Sequence, residues 1–192
     1  MNAFEDFNRG VQLSMEQRHA DAVAAFESAL LTDPGHVGAM AGKGMALAKL
    51  GRTNGALEAF IGASLLQPDN GSLHYQAGLC FLQLGQLSQA RDCVQLALSR
   101  EGDDEFRQRC AVELYNIGGY YMTGAAKWRA RGALDQEAVG YQLAEVSFEL
   151  ALECSPHLHQ AARGLSVMHA ARGDSGEAAR FASIADRLQS SR

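Results

Sequence analysis

The sequence predicts an all-α fold in which pairs of antiparallel helices stack on one another. Three observations support this prediction: a repeat of fixed period, few β-branched residues, and glycine or proline where each predicted helix ends. Val, Ile and Thr together account for 14 of the 192 residues, and such a chain favours helices over strands. A fixed period of a few tens of positions is typical of repeat architectures, in which each unit is one supersecondary element.

The repeat is clearest at small residues. Positions that share a step of 34 along the chain are Gly10, Gly44 and Gly78; Ala22, Ala56 and Ala90; Ala29, Ala63 and Ala97; and Phe26, Phe60 and Val94. Antiparallel helices approach closely only where small residues face each other. We therefore expect Gly44 to lie opposite Ala56 within one hairpin and Phe60 to fill the space toward the next.

Turn residues divide the chain into units. Gly51 and Gly85 are suited to the left-handed conformation at a helix C-terminus, and Pro34 and Pro68 cannot continue a helix. We predict a single domain, 1–192, whose five helix pairs occupy the following approximate ranges: 3–36, 37–70, 71–104, 105–158 and 159–192.

These spacings resemble those of the tetratricopeptide repeat family. The matching residues are Lys43-Gly44, Leu47, Gly51, Ala56, Phe60, Ala63 and Pro68 in the second unit and Ala77-Gly78, Phe81, Gly85, Ala90, Val94 and Ala97 in the third. The chain departs from the family pattern at Arg9 and Lys43, where Leu is usual, at Gly102, where Pro is expected, and in lacking the early Trp. The resemblance implies an α-solenoid, a right-handed superhelix of helix pairs that binds proteins and has no catalytic activity.

The resemblance also implies that the first helix of each pair lines a concave groove. The groove residues in that register are Phe7, Val11, Met15, Met45, Tyr75, Leu79, Leu82, Tyr115, Asn116 and Met122. Apolar, aromatic and methionine side chains suit an amphipathic helix or an apolar segment. Family members that bind acidic chaperone C-termini use Lys and Asn, but the corresponding residues here are Phe7, Val11, Gly42, Ser72 and Gln76. The alternative for any one of these groove residues is packing between adjacent first helices.

The fourth unit is longer than the others. Ala144 follows Gly118 by 26 residues, whereas Ala90 follows Gly78 by 12 residues. The fourth unit therefore contains an insertion of 14 residues. Shared between two antiparallel helices, the insertion lengthens each by about two turns, roughly 10 Å. The insertion predicts a projecting hairpin, and a lengthened penultimate hairpin is similar to one in tetratricopeptide repeat proteins that assist photosystem I assembly.

The projecting hairpin contains the single Trp of the chain in a basic cluster. Its predicted contact residues are Lys127, Trp128, Arg129 and Arg131, because Trp and Arg are favoured interface anchors. The alternative is that Trp128 packs against Tyr141 or its own helix while the basic side chains are solvated.

Composition and motifs argue against several classes of function. A net charge of −5 disfavours nucleic-acid binding, and no apolar run is long enough to span a membrane. We find no signal peptide, paired catalytic carboxylates or phosphate loop, and Cys154, His157 and His159 are poorly spaced for a metal. We therefore expect a cytoplasmic protein that has no cofactor or bound metal, is not an enzyme, and keeps its cysteines reduced.

Three functions follow from these observations. The first is a scaffold, adaptor or assembly chaperone that holds a peptide or helix of another protein in an apolar groove. The second is a chaperone like those that shield translocator proteins of type III secretion systems. The third is a homo-oligomeric structural protein, with a homodimer formed through Phe181, Ile184 and Leu188 of the last helix, because terminal repeats usually need a polar outer face.

Overall fold

The computed structural model describes residues 2–190, which form ten α-helices and no strand. The helices are α1 (Ala3–Met15), α2 (His19–Thr32), α3 (Val37–Lys49), α4 (Thr53–Leu66), α5 (Gly71–Gln83), α6 (Leu87–Arg100), α7 (Asp104–Ala130), α8 (Leu134–Cys154), α9 (His159–Arg172) and α10 (Ser175–Ser190). The predicted all-α fold of antiparallel helix pairs, with an elongated fourth pair, is confirmed.

Side-chain caps start the first helix of the first four pairs. Asn2 forms a capping box with Glu5, in which the Glu5 backbone N–H donates to Asn2 Oδ1 at 2.8 Å. The Asn70 and Asp103 side chains accept in the same way at α5 and α7, and the His36 ring does so at α3. Such caps satisfy backbone donors that have no partner inside the helix. The second helices α2, α4, α6 and α8 lack a side-chain cap and begin directly from tight turns.

The tight turn within each hairpin uses one residue in the left-handed conformation. Four of these residues are glycines, with φ of +71° at Gly51, +73° at Gly85, +73° at Gly132 and +84° at Gly173. The fifth is Gln17, with φ of +60°, although it occupies the register of Gly51. Its turn is closed like the others, since the Arg18 N–H donates to the Leu13 carbonyl at 2.9 Å. Gln17 therefore carries a steric cost that the glycines avoid.

We predict that Gln17→Gly stabilises the protein. Replacing a residue with a Cβ at positive φ by glycine should raise the free energy of unfolding by about 1 kcal/mol, measured by urea denaturation. Gln12→Gly, inside α1, is the control and should lower it by about as much. A Gln17→Gly variant less stable than the wild type would contradict the assignment.

The helices form two compact units, the first ending at Glu101 and the second starting at Gly102. In the first unit, each of α1 to α6 packs against its neighbours in sequence, and α1 also contacts α3. The core of this unit is built from alanines and a few large side chains, among them Leu13, Phe26, Leu47 and Phe60. In the second unit, α7 to α10 pack in the same order and α7 contacts α9.

Buried phenylalanine rings explain several of the helical glycines. Phe26 is 1% exposed, and a Cβ at Gly10 or Gly42 would lie 2.6 or 2.5 Å from its ring carbons. Phe148 is enclosed in the same way by Gly118 and Gly164, each at 2.7 Å. These distances are too short for a real Cβ, so glycine is required at these four positions.

The position of Gly44 differs from the expectation. The atoms nearest to its absent Cβ belong to the Phe60 ring, the closest at 2.9 Å, and not to Ala56. Phe60 therefore fills space within its own hairpin, because its large side chain reaches back to the first helix.

The elongation of the fourth pair is unequal. α7 has 27 residues against 13 in α5, and α8 has 21 against 14 in α6. The two additional turns of α8 match the prediction, whereas α7 gains about four. Gly118 is the fifteenth residue of α7, while Gly10 is the eighth of α1. α7 is therefore extended at both ends relative to its ring-contacting glycine.

Adjacent glycines in α7 provide a matched pair of substitutions. Gly118→Ala should lower the free energy of unfolding by about 1–3 kcal/mol, because the methyl group collides with the buried Phe148 ring. Gly119→Ala should raise it by about 0.5–1 kcal/mol, because nothing lies within 4 Å of its Cβ and alanine is the better helix former. Thermal and urea denaturation measure both, and equal effects of the two substitutions would contradict the packing described.

Candidate partner-binding surfaces

The first unit contains an apolar groove between α1 and α3. Its volume is about 360 Å³. The lining residues are Phe7, Val11, Ser14, Met15, His19, Phe26, Gly38, Gly42, Met45, Ala46 and Lys49. The structure therefore brings four of the predicted groove residues together: Phe7, Val11, Met15 and Met45.

Aromatic rings and glycines shape the groove. The Phe7 ring lies 6.0 Å from the Phe26 ring and 4.7 Å from the His36 ring, measured between centroids. Gly38 and Gly42 are four positions apart on α3, so they share the face that meets these rings. Because glycine has no side chain, the Phe7 and Phe26 rings contribute directly to the groove lining. The sequence interpretation missed Gly38 and Phe26 as lining residues, although the equal spacing of Gly10, Phe26 and Gly42 is visible in the sequence.

The rim of the groove is exposed and mostly apolar. Met15 is 82% exposed, Met45 54% and Val11 39%. Lys49 is exposed on the same helix as Met45 and forms no ion pair with any residue between 2 and 190. Flexible thioethers and a lone cation give this rim the character of a site for an apolar segment that carries an acidic group.

The predicted groove residues of α5 are placed differently. Tyr75, Leu79 and Leu82 are 3%, 8% and 1% exposed, although Leu79 occupies the register of Val11 and Met45. All three side chains are buried, so they do not present a surface comparable to the exposed rim at Met15 and Met45. Register predicts the direction in which a side chain points but not its exposure.

The predicted groove residues of α7 lie in the second unit. Tyr115 is half-buried, and its ring centroid is 5.9 Å from that of Phe148, at an interplanar angle of 45°. The Phe7 and Phe26 rings have nearly the same geometry, 6.0 Å and 47°. Asn116 is exposed and Met122 is half-buried. The first and fourth hairpins therefore each contain a pair of aromatic rings with nearly the same geometry.

At the tip of the elongated pair, Arg129 has an internal role. Its Nε donates to Glu137 Oε1 at 2.6 Å, its Nη1 donates to the Ala171 carbonyl, and its guanidinium lies 5.5 Å from the centroid of the Tyr141 ring. Glu137 is only 8% exposed. Arg129 therefore joins α7, α8 and the end of α9, and it was predicted instead as a contact for a partner.

The remaining residues of the basic cluster face solvent. Lys127 and Arg131 are exposed, and the Arg131 guanidinium lies 5.5 Å from the centroid of the Trp128 ring. Trp128 is 37% exposed. The alternative interpretation is that Trp128 packs within its own hairpin while the basic side chains are solvated. Part of this is observed, since Arg131 of the same hairpin covers one face of the indole.

We predict that Arg129→Ala destabilises the second unit. The substitution leaves the Glu137 carboxylate nearly buried without its cation, which should cost about 2–3 kcal/mol of unfolding free energy, measured by urea denaturation. Removing the carboxylate as well, in Arg129→Ala/Glu137→Ala, should restore part of this loss. Arg131→Ala is the control and should change stability by about 0.5 kcal/mol or less. An Arg129→Ala variant as stable as Arg131→Ala would contradict the internal role.

The last helix presents two faces. Phe181, Ile184 and Leu188 are half-buried, and the Phe181 ring stacks on the His169 ring at 5.5 Å between centroids. Another part of α10 forms a shallow surface depression lined by Ala179, Ala182, Ser183, Asp186, Arg187 and Ser190. A homodimer through Phe181, Ile184 and Leu188 stays a prediction.

The four cysteines are free, and three of them are buried. Burial raises the pKa of the Cys80 thiol to about 11 and that of Cys154 to about 12. Both thiols therefore stay protonated near neutral pH, where a thiol is a poor nucleophile and metal ligand. Within residues 2–190, no three His, Cys, Asp or Glu side chains are grouped as a metal site would require.

Across the described part of the chain, no helix combines the length and the apolar character needed to cross a membrane.

Comparisons with known proteins identify the repeat. Two family models described as tetratricopeptide repeat match residues 13–72 and 49–105. Superkiller protein 3 of Saccharomyces cerevisiae is 25% identical over 117 residues, which cover 57% of this chain but only 8% of the yeast protein. The chain thus spans a small part of the curated relative that it matches.

Two solved structures share the fold. MamA from Desulfovibrio magneticus RS-1, residues 41 to the end, superposes with a TM-score of 0.62 at 16% identity, covering 99% of this chain and 96% of that one. YrrB, described as a tetratricopeptide repeat protein with an unusual peptide-binding site, gives a TM-score of 0.60 at 21% identity, covering 97% of this chain and 86% of that one. Likeness at such identities shows the fold alone.

Proposed function

We propose that this chain, a tetratricopeptide repeat protein, is a non-enzymatic scaffold or assembly chaperone that holds an apolar segment of a partner protein in the groove of its first unit. The observation that carries the proposal is the groove between α1 and α3, about 360 Å³ in volume, with Met15 and Met45 exposed on its rim. Ligand sites are typically concave, largely apolar clefts of this size or larger.

The lining favours a helix or an extended peptide over a small polar molecule. Phe7 and Val11 provide apolar surface above the buried Phe26 ring, and the methionines can adjust to the shape of the partner's side chains. An amphipathic helix that places its apolar face in a groove is a recurring mode of recognition. YrrB, which shares the fold, is described as having a peptide-binding site, and this supports a peptide partner here.

Lys49 suggests one further property of the partner. It is the lysine of the groove lining, it is exposed, and no carboxylate of residues 2–190 pairs with it. A bound segment with an acidic residue beside its apolar face would pair with this ammonium group. Such a contact at the rim adds orientation more than affinity.

Introducing charge at the rim tests the proposal. Met15→Glu/Met45→Glu replaces two exposed methionines, so the fold should be retained, while the apolar contact with the partner is lost. Each buried methionine contributes about 1.5–3 kcal/mol, so recovery of the partner should fall by more than about tenfold. The measurement is quantitative affinity capture from the native cell, followed by titration of the purified captured protein.

The chain offers a matched control. Leu31→Glu/Leu65→Glu introduces the same charge at leucines that are 86% and 77% exposed, on α2 and α4 outside the groove. This variant should capture and bind the partner as the wild type does. Equal binding by the wild type and both folded double variants would exclude the groove as the partner site.

A further inference from the structure

The exposed face of α7 near the hairpin tip carries positive charge that no carboxylate of residues 2–190 neutralises. Lys127 and Arg131 are exposed, and neither forms an ion pair within that range. Arg129, between them in sequence, is engaged by Glu137 and the Ala171 carbonyl. The fold thus uses one cation of the cluster internally and leaves two on the outer face of a chain whose net charge is −5.

The two cations lie beside a row of aromatic residues. Arg131 caps the C-terminus of α7 with near-helical backbone angles and follows Lys127 by four positions, so the two lie on successive turns of one row at the end of the helix. Tyr120, Gly124 and Trp128 are also spaced by four and form the neighbouring row. Tyr120 is 77% exposed and Trp128 37%.

Gly124 leaves a gap between the two aromatic residues. Nothing lies within 4 Å of the position that a Cβ would occupy at Gly124. The tyrosine and tryptophan therefore flank an open shelf about two helical turns long, roughly 12 Å. A shelf of this kind accommodates an apolar side chain of a partner between the rings. Lys127, and Arg131 from its place on the Trp128 ring, can then pair with acidic residues next to that side chain.

We propose that this face of α7, formed by Tyr120, Gly124, Lys127, Trp128 and Arg131, binds an acidic amphipathic helix of a partner protein. Two carboxylates four positions apart on the partner pair with Lys127 and Arg131. An apolar side chain on its neighbouring row lies over Gly124 between the rings. Charge complementarity selects the partner, and the aromatic residues supply the apolar contact area. This surface lies on the second unit, so the proposal does not depend on the groove of the first.

Other anionic partners fit the face less well. Nucleic acids and anionic membranes draw their affinity from many simultaneous charge contacts, and this face offers two cations on an acidic chain. A short acidic helix needs no more than two.

The single tryptophan makes the test direct. Trp128 is the chain's one Trp, so its fluorescence reports on this face without labelling. The probe is a synthetic alanine-based helix with two Glu four positions apart and two Leu on the neighbouring row. We expect the Trp128 emission to shift to the blue and to saturate as the peptide is added. The affinity for the peptide should fall when NaCl rises from about 0.05 to about 0.5 M, because salt screens the charge pairs. The same peptide with Lys in place of Glu should cause no shift.

Variants distinguish this site from the rest of the chain. Lys127→Glu/Arg131→Glu should raise the Kd for the acidic peptide by at least about tenfold. Arg9→Glu/Arg52→Glu, which changes the net charge equally on the first unit, should leave the Kd unchanged. Met15→Glu/Met45→Glu should also leave it unchanged, so failure of the groove proposal is separable from failure of this one.

Three results would overturn the proposal. The first is the absence of any emission change with the acidic peptide. The second is an equal response to the acidic and basic peptides. The third is a saturable response to heparin or to vesicles rich in phosphatidylserine without one to the peptide, which would assign the face to polyanions.

Discussion

The packing of a helix backbone directly on a buried phenylalanine ring is the constraint from which much of this structure follows. At Phe26 and Phe148, glycines from two successive first helices lie on either side of the ring. The absence of a Cβ on both sides brings those helices together, which matches the observed contacts of α1 with α3 and of α7 with α9. In the first unit this arrangement also creates the apolar groove, because the Phe26 ring lies between the helices that form its walls.

The residue 16 positions after the large buried side chain of a second helix explains why the hairpins are not equivalent. Phe26 and Phe148 are each followed, at a step of 16 along the chain, by a glycine, Gly42 and Gly164 respectively. Gln76 and Cys110 follow Phe60 and Val94 at the same step. A side chain at that position prevents the close approach that glycine permits. The repeat therefore sets the order of the helices, and a few substitutions within it decide where a ring is enclosed on both sides.

Much of the fold could be predicted from the period alone. The helix pairs, the turns at Gly51 and Gly85 and the elongated fourth pair all follow from residue spacing and from the chemistry of glycine and proline. Gln17 could not be predicted to adopt a positive φ from its own residue type. Only its place in the repeat indicated a turn, and there the hydrogen bonds of the hairpin outweigh the steric cost.

The candidate sites were less predictable for physical reasons. The burial of Tyr75, Leu79 and Leu82 depends on what covers each side chain, which the register of one helix does not contain. The role of Arg129 depends on partners 8 and 42 positions further along the chain, beyond the reach of local patterns. The four residues that do line one groove, Phe7, Val11, Met15 and Met45, were accessible because two neighbouring first helices place them by periodicity alone.

The contact of Arg129 with the Ala171 carbonyl has a consequence for how the second unit folds. Most contacts in stacked hairpins join residues close in sequence, and such contacts form early because closing short loops costs little entropy. The contact between residues 129 and 171 spans 42 positions and includes the end of α9. During synthesis, α7 and α8 leave the ribosome before α9 does, so this bond is completed only after the end of α9 has emerged. The pair of Arg129 with Glu137 spans only 8 positions, so it can form as soon as α7 and α8 pack, before the bond to Ala171 is made.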